Sequence, residues 1–217
     1  MPRVGKTETT QRRAPTQARS RATVEAILEA AARIIRREGP QALTTNRIAE
    51  VAGVGVGSLY GYFPDKAAIQ IALARRMLAS GDSAVADAVA APGGLSPARA
   101  MVRTILQLHA TDKDLRRAVM GVHLGLGHRG EHSESTRATV AEIARRLAAQ
   151  GLEPPDPLRL FIVTLAVLGV ARALVEEPDG ATPDPQVLED ELMNLIRPYL
   201  AAPSPIRAPT AKSGSWL

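Results

Sequence analysis

The chain has 217 residues, no cysteine and only 3% aromatic residues, which excludes disulfides, thiol nucleophiles and cysteine-held metals and leaves Leu, Ile, Val and Ala to build any core. Its net charge of +5 lies wholly in the first third: residues 1–66 carry eleven Lys+Arg against six Asp+Glu, and residues 67–217 carry sixteen of each. That asymmetry points to a nucleic acid or other anionic surface as partner of the N-terminal part. A solvated basic tail holding Arg3, Lys6, Arg12, Arg13 and Arg19 would give the same count.

Residues 1–19 mix Thr, Gln, Arg and Pro without periodicity and read as a disordered basic arm. They contain no apolar run of the secretory kind, which makes the cytoplasm the expected location. From Arg21 the residues Val24, Ile27, Leu28, Ala31, Ile34 and Ile35 form one helical stripe, ended by Gly39-Pro40. A short second helix is predicted from Thr44 or Thr45, whose hydroxyl can cap it, to a stop at Gly53. A third runs from about Val56 to Tyr62, and Asp65 can cap a long fourth helix reaching towards Ala90.

The remainder repeats one theme. Met101, Ile105 and Leu108 mark one amphipathic helix, and Leu115, Val119, Val122 and Leu126 mark the next. Glycines 125, 127 and 130 are expected to break the chain before a helix marked by Val140, Ile143 and Leu147. An apolar helix over 158–175 and a last one marked by Leu188, Leu192, Leu195 and Tyr199 follow, and residues 202–217 read as a disordered tail. About nine helices and no strand pattern make the fold class all-α. The uncharged run Leu160–Ala171 falls well short of the ~20 residues a membrane span needs, so a soluble helix buried on nearly all sides, with no membrane partner, is expected.

Two short helices joined at Ala52-Gly53-Val54-Gly55 are helix-turn-helix grammar, although an ordinary αα-corner that contacts nothing has the same pattern. The residues go further. Arg21, Ala31-Ala32, Gly39, Thr44, Ile48-Ala49, Ala52-Gly53-Val54, Gly57, Leu59-Tyr60, Tyr62-Phe63 and Lys66 together resemble, in order and spacing, the N-terminal signature of the TetR (tetracycline-repressor-like) family of transcriptional regulators. The resemblance implies a three-helix DNA-binding head over 20–66 and a ligand-binding, dimerising helical body over 67–201. The implied protein is a homodimer on a palindromic double-stranded operator, acting as a repressor that a small, largely apolar molecule releases.

The resemblance also implies roles. Thr44, Thr45, Tyr60, Tyr62 and Lys66 would contact the phosphate backbone, and Lys66 stands in a first helical turn where the dipole disfavours a cation unless an anion is near. Asn46, Arg47, Val56 and Ser58 would face base edges, with Gly57 letting the backbone come close. Gly55 departs from the family's usual Ser or Thr cap, and Gly61 costs the reading helix roughly 1 kcal/mol against Ala.

Other constellations carry less. Gly125 to Gly130 spells G-x-G-x-x-G, but no strand precedes it, so a glycine-rich interhelical loop is the better reading. His128 and His132 have a metal-like spacing without a completing carboxylate shell, so no metal and no cofactor are expected. His109 and His123 share the apolar stripes of their helices, as core histidines or as polar anchors in a ligand cavity, and Arg103, Gln107 and Thr164 are weaker candidates of the same kind. No catalytic set can be assembled, so the chain reads as a non-enzyme. The alternatives are a helical dimeric interaction module or an enzyme built on the same body. Dimerisation is expected through 158–175 and the stripe Leu188/Leu192/Leu195/Tyr199, with Ala166, Gly169 and Ala173 allowing close approach, unless both helices are simply core of a monomer.

Overall fold

Capping residues set most helix ends in the computed structural model, which describes residues 13–125, 129–177 and 182–202, with side chains over 17–122, 134–177 and 182–202. Among the described residues there are nine α-helices and no strand. They are α1 (Arg13–Glu38), α2 (Thr45–Ala52), α3 (Val56–Tyr62), α4 (Lys66–Ala90), α5 (Pro97–Ala110), α6 (Lys113–Gly125), α7 (Arg129–Ala149), α8 (Pro157–Glu176) and α9 (Pro185–Ala201). The Thr44 hydroxyl accepts the Arg47 amide at 3.2 Å to open α2, and Gly53 closes it in the left-handed region at φ 69°. Asp156-Pro157 and Asp184-Pro185 open α8 and α9 by one device: the carboxylate accepts two first-turn amides, and the proline fills a position whose amide has no helical acceptor.

Two boundaries differ from expectation. α1 begins at Arg13, eight residues ahead of Arg21, because Pro15 falls in the first turn and removes no helical hydrogen bond. Gly130 lies inside the first turn of α7 rather than in the break before it.

The chain divides into two compact units, residues 1–69 and 70–217. In the first, Ile27, Ala31, Ile34 and Ile35 of α1 are buried together with Leu43, Ile48, Leu59 and Phe63. Packing of α1 on α2 and of α2 on α3 thus holds a three-helix head.

In the second unit α8 packs against α5, α6, α7 and α9. Leu160, Val163, Val167, Ala171 and Val175 of α8 enter the core with Met101, Ile105, Ile143 and Ile196. By length and composition α8 could also cross a membrane. The expectation of burial on nearly all sides does not hold, since Leu158, Ile162 and Leu165 stay exposed. α9 divides in the same way. Leu192 joins Met193 and Ile196 in the core and Leu188 is half-buried, so the expected four-residue seam is reduced to its exposed members, Leu195 (72% exposed) and Tyr199.

Charged clasps tie these helices. Arg103 of α5 grips Glu189 of α9 through Nε and an Nη at 2.8 and 2.9 Å, and Arg99 reaches Glu189 and Asp190 at 2.8 and 2.7 Å. The buried Arg159 of α8 donates to the Tyr199 and Ala202 carbonyls, both at 2.5 Å, and so caps the end of α9.

Candidate DNA interface and ligand cavity

In the head, Leu59 is the one buried residue among the seven of α3. Ile48 and Leu59 are fully buried and Phe63 nearly so, which fixes α3 by a single inward anchor. Val56, Gly57, Ser58, Tyr60, Gly61 and Tyr62 are left exposed, with Tyr60 at 49% and Val56 and Tyr62 at 40%. Two hydroxyl pairs frame this surface: Thr45 with Tyr60, and Ser20 with Tyr62, each 3.0 Å apart. Both pairs pre-position groups able to donate to phosphate oxygens. Lys66 is exposed at the start of α4, where Asp65 accepts the Ala68 amide at 2.7 Å.

Arg47 is placed differently from the other candidates. Its guanidinium binds Glu38 at the end of α1 through two hydrogen bonds, 2.9 and 3.2 Å, and Glu50 at 2.9 Å. These partners hold Arg47 above its ordinary range, the Glu38 hydrogen bond contributing most, and the Arg47 hydrogen bond in turn holds Glu38 below its own. In this arrangement Arg47 ties α2 to α1.

A Cβ added at Gly57 or at Gly61 would meet nothing within 4 Å. Gly61→Ala is therefore expected to stabilise the head by about 0.5–1 kcal/mol, because alanine narrows the unfolded ensemble and favours helix. A rise in the melting temperature of the variant checks this, and a fall would mean that α3 is strained at Gly61.

The second unit contains a largely apolar cavity of about 370 Å³ between α4, α5, α6, α7 and α8. Met77, Leu78 and Val85 of α4, Ile105 and Leu108 of α5, and Leu168 of α8 supply its apolar walls. Its polar groups include His109, Arg116, Arg172, the threonines Thr136, Thr139 and Thr164, Glu176 and the Asp82–Ser135 hydrogen-bonded pair. A cavity of this size with mainly apolar walls and some polar groups is the usual form of a small-molecule site.

His109 is held neutral. Its Nδ1 lies 2.9 Å from the Ile105 carbonyl, which can only accept, so Nδ1 carries the proton and Nε2 is a bare acceptor. Burial lowers its pKa from 6.5 to about 4, the Ile105 hydrogen bond opposes this, and Arg116 and Arg172 push it further down. Because the folded pKa lies below the ordinary one, the unfolded chain binds more protons between these values. Stability from neutral His109 is thus full above pH 6.5 and lost as pH falls towards 4. Allowing for the solvent-reached part of the ring, about 2 kcal/mol should disappear across that window. His109→Gln should flatten this part of the stability profile, and an unchanged slope would place the proton uptake elsewhere.

The other ligand candidates separate. Thr164 is buried in the same cavity wall, donating its hydroxyl to the Leu160 carbonyl at 2.8 Å. Arg103 and Gln107 instead line a neighbouring hollow of about 400 Å³ that shares His109, and Arg103 is engaged by Glu189. The side chain of His123 lies outside the described residues, as do His128 and the side chain of His132. Sequence reasoning missed Arg116 and Arg172. A usable signal existed for Arg172: it follows twelve uncharged residues on a helix that continues to Glu176, so a charge there stands within an apolar element.

Comparison with known proteins agrees with this architecture. The family model for bacterial regulatory proteins of the tetR family matches residues 27–73, and the model for a tetracyclin repressor-like C-terminal domain matches residues 97–200. No curated protein matches the sequence. Among solved structures, a TetR-family transcriptional regulator from Mesorhizobium loti MAFF303099 is 17% identical over 84% of this chain and 97% of that one, with a TM-score of 0.65. The multidrug binding protein EbrR, complexed with ethidium, is 18% identical over 83% and 99%, with a TM-score of 0.59. The fatty acid degradation regulator FadR from Bacillus halodurans is 17% identical over 80% and 94%, with a TM-score of 0.56. At these identities the likeness is one of fold. With both of its regions matched by family models, the chain belongs to the TetR family of transcriptional regulators, with an N-terminal helix-turn-helix DNA-binding domain and a C-terminal helical body.

Proposed function

We propose that the protein is a homodimeric repressor that binds a near-palindromic operator and is released from it by a small amphipathic ligand. The observation that carries this reading is α3, a short helix fixed by Leu59 alone and otherwise exposed, with two tyrosines at its surface. Such a helix suits the major groove. Thr44, Thr45, Tyr60, Tyr62 and Lys66 hold the phosphates, and Asn46, Val56 and Ser58 meet base edges. Arg47 would have to release Glu38 and Glu50 to reach a base, so it contributes to sequence reading only after that exchange. Gly57 allows close approach, so Gly57→Ala should weaken DNA binding even while it stabilises α3.

Dimerisation runs through the exposed apolar faces of α8 and α9, namely Leu158, Ile162, Leu165, Leu195 and Tyr199. Contiguous apolar exposure of this kind usually marks an interface. Leu195→Glu is expected to shift the protein from dimer to monomer in sedimentation at micromolar concentration. A wild-type monomer under those conditions would remove the dimer from the account.

Release follows from α4. Its first residue is Lys66, and further along it supplies Met77, Leu78, Gly81, Asp82 and Val85 to the cavity wall. A ligand that moves α4 changes where the reading helices of a dimer can sit, and a coupling of ~1–3 kcal/mol would change operator affinity roughly 5- to 150-fold. EbrR, a relative in fold, binds multiple drugs, which supports a cavity that takes small molecules. Selection from randomised duplex DNA tests the DNA-binding core of the proposal. Recovered sequences should converge on two inverted half-sites about one or a few helical turns apart, and recovery without convergence would contradict it.

A further inference from the structure

The described arginines with shifted ionisation fall into two groups. Arg47, Arg99, Arg103 and Arg146 are raised by carboxylates that hydrogen-bond to them. Arg116 of α6 and Arg172 of α8, both in the wall of the 370 Å³ cavity, are pushed the other way by burial, opposed at Arg116 only by the charge of Asp112. The Nε of Arg116 is buried without a hydrogen-bond partner. A desolvated guanidinium with an unused donor destabilises a ligand-free fold, and a bound anion would relieve it.

From this geometry we propose that the cavity takes an amphipathic monocarboxylate, its head group held by Arg116 and Arg172 and its apolar body lying against Met77, Leu78, Leu108 and Leu168. The inference rests on the ligand-sensing reading and names the chemical class of that ligand. The unused Nε donor of Arg116 favours an anion. The cavity's acids limit its charge: Asp82 accepts the Ser135 hydroxyl, and Glu176 stands exposed at the edge, so a polyanion would meet both. His109 leaves the head group to the arginines, since its one proton goes to the Ile105 carbonyl. Apolar surface dominates the remaining wall and requires an apolar body.

Calorimetric titration of the full chain with two carboxylates of different shape, decanoate and 2-naphthoate, tests the proposal. The matched controls are 1-decanol, decyltrimethylammonium and ethidium. At least one carboxylate should bind ten-fold or more tighter than 1-decanol and both cations. Arg116→Met should reduce that carboxylate's affinity at least ten-fold, leave 1-decanol unchanged, and melt no lower than the wild type, because it removes a charge whose desolvation outweighs the attraction of Asp112. A purely structural arginine would instead lower the melting temperature. Equal or tighter binding of the alcohol or a cation, binding by neither carboxylate, or an unaffected Arg116→Met variant would each overturn the head-group assignment. A carboxylate that binds as expected yet leaves operator affinity unchanged keeps that assignment and overturns the sensing reading instead.

Discussion

Leu59→Ala is expected to remove about 3 kcal/mol from the stability of the head and to abolish specific DNA binding. Leu59 is fully buried against the α1–α2 core and is the only inward residue of α3, so truncation leaves a cavity that no neighbour on that helix can fill. A unit of about seventy residues has only a few kcal/mol to lose, so α3 should detach or the head should unfold at moderate temperature. Two-probe thermal melts check this, with an early transition assigned to residues 1–69 by amide exchange. An unchanged early transition would mean that α3 is held by something other than its anchor.

Glu189→Ala should cost the body about 2–3 kcal/mol, read as a drop of about 5–10 °C in melting temperature. The Glu189 side chain is 5% exposed and accepts from both Arg99 and Arg103, so its removal strands the Arg103 guanidinium and leaves Arg99 with Asp190 alone. Arg99 and Arg103 are 27% and 36% exposed and keep part of their hydration, which holds the loss below that of a fully buried pair. Arg103 chiefly holds the Glu189 carboxyl below its ordinary range, so this contribution is full at neutral pH and fades only as pH falls through the depressed value. Replacing both partners, with Arg103→Met beside Glu189→Leu, should recover most of the loss. A double variant no better than Glu189→Ala would show that Arg99 and Asp190 carry the clasp.

Much of this was legible before the structure because local chemistry decides it. Thr44, Gly53 and Asp65 determine helix ends through contacts within a few residues, and the order of residues from Arg21 to Lys66 is enough to recognise the head. What was not legible depends on partners distant in sequence. Arg47 looks like a reading residue until Glu38, nine positions earlier, is seen to hold it. Arg103 resembles a ligand anchor until Glu189, eighty-six positions later, takes it. The α9 stripe shows apolar character but cannot say that Leu192 enters the core while Leu195 faces outward. Arg116 and Arg172 come together only when α6 and α8 meet around a cavity, which periodicity does not encode.

The central claim, that the exposed face of α3 reads DNA, is tested most directly by one titration across salt. The protein is bound to operator DNA recovered by selection and to a scrambled duplex of equal composition. The account predicts an affinity ratio on the order of 10³ or more, with both affinities falling steeply as salt rises. It also predicts that Lys66→Ala lowers both affinities alike and flattens the salt slope, while Ser58→Ala lowers the ratio. Equal affinity of the wild type for operator and scramble, at every salt concentration, would contradict it.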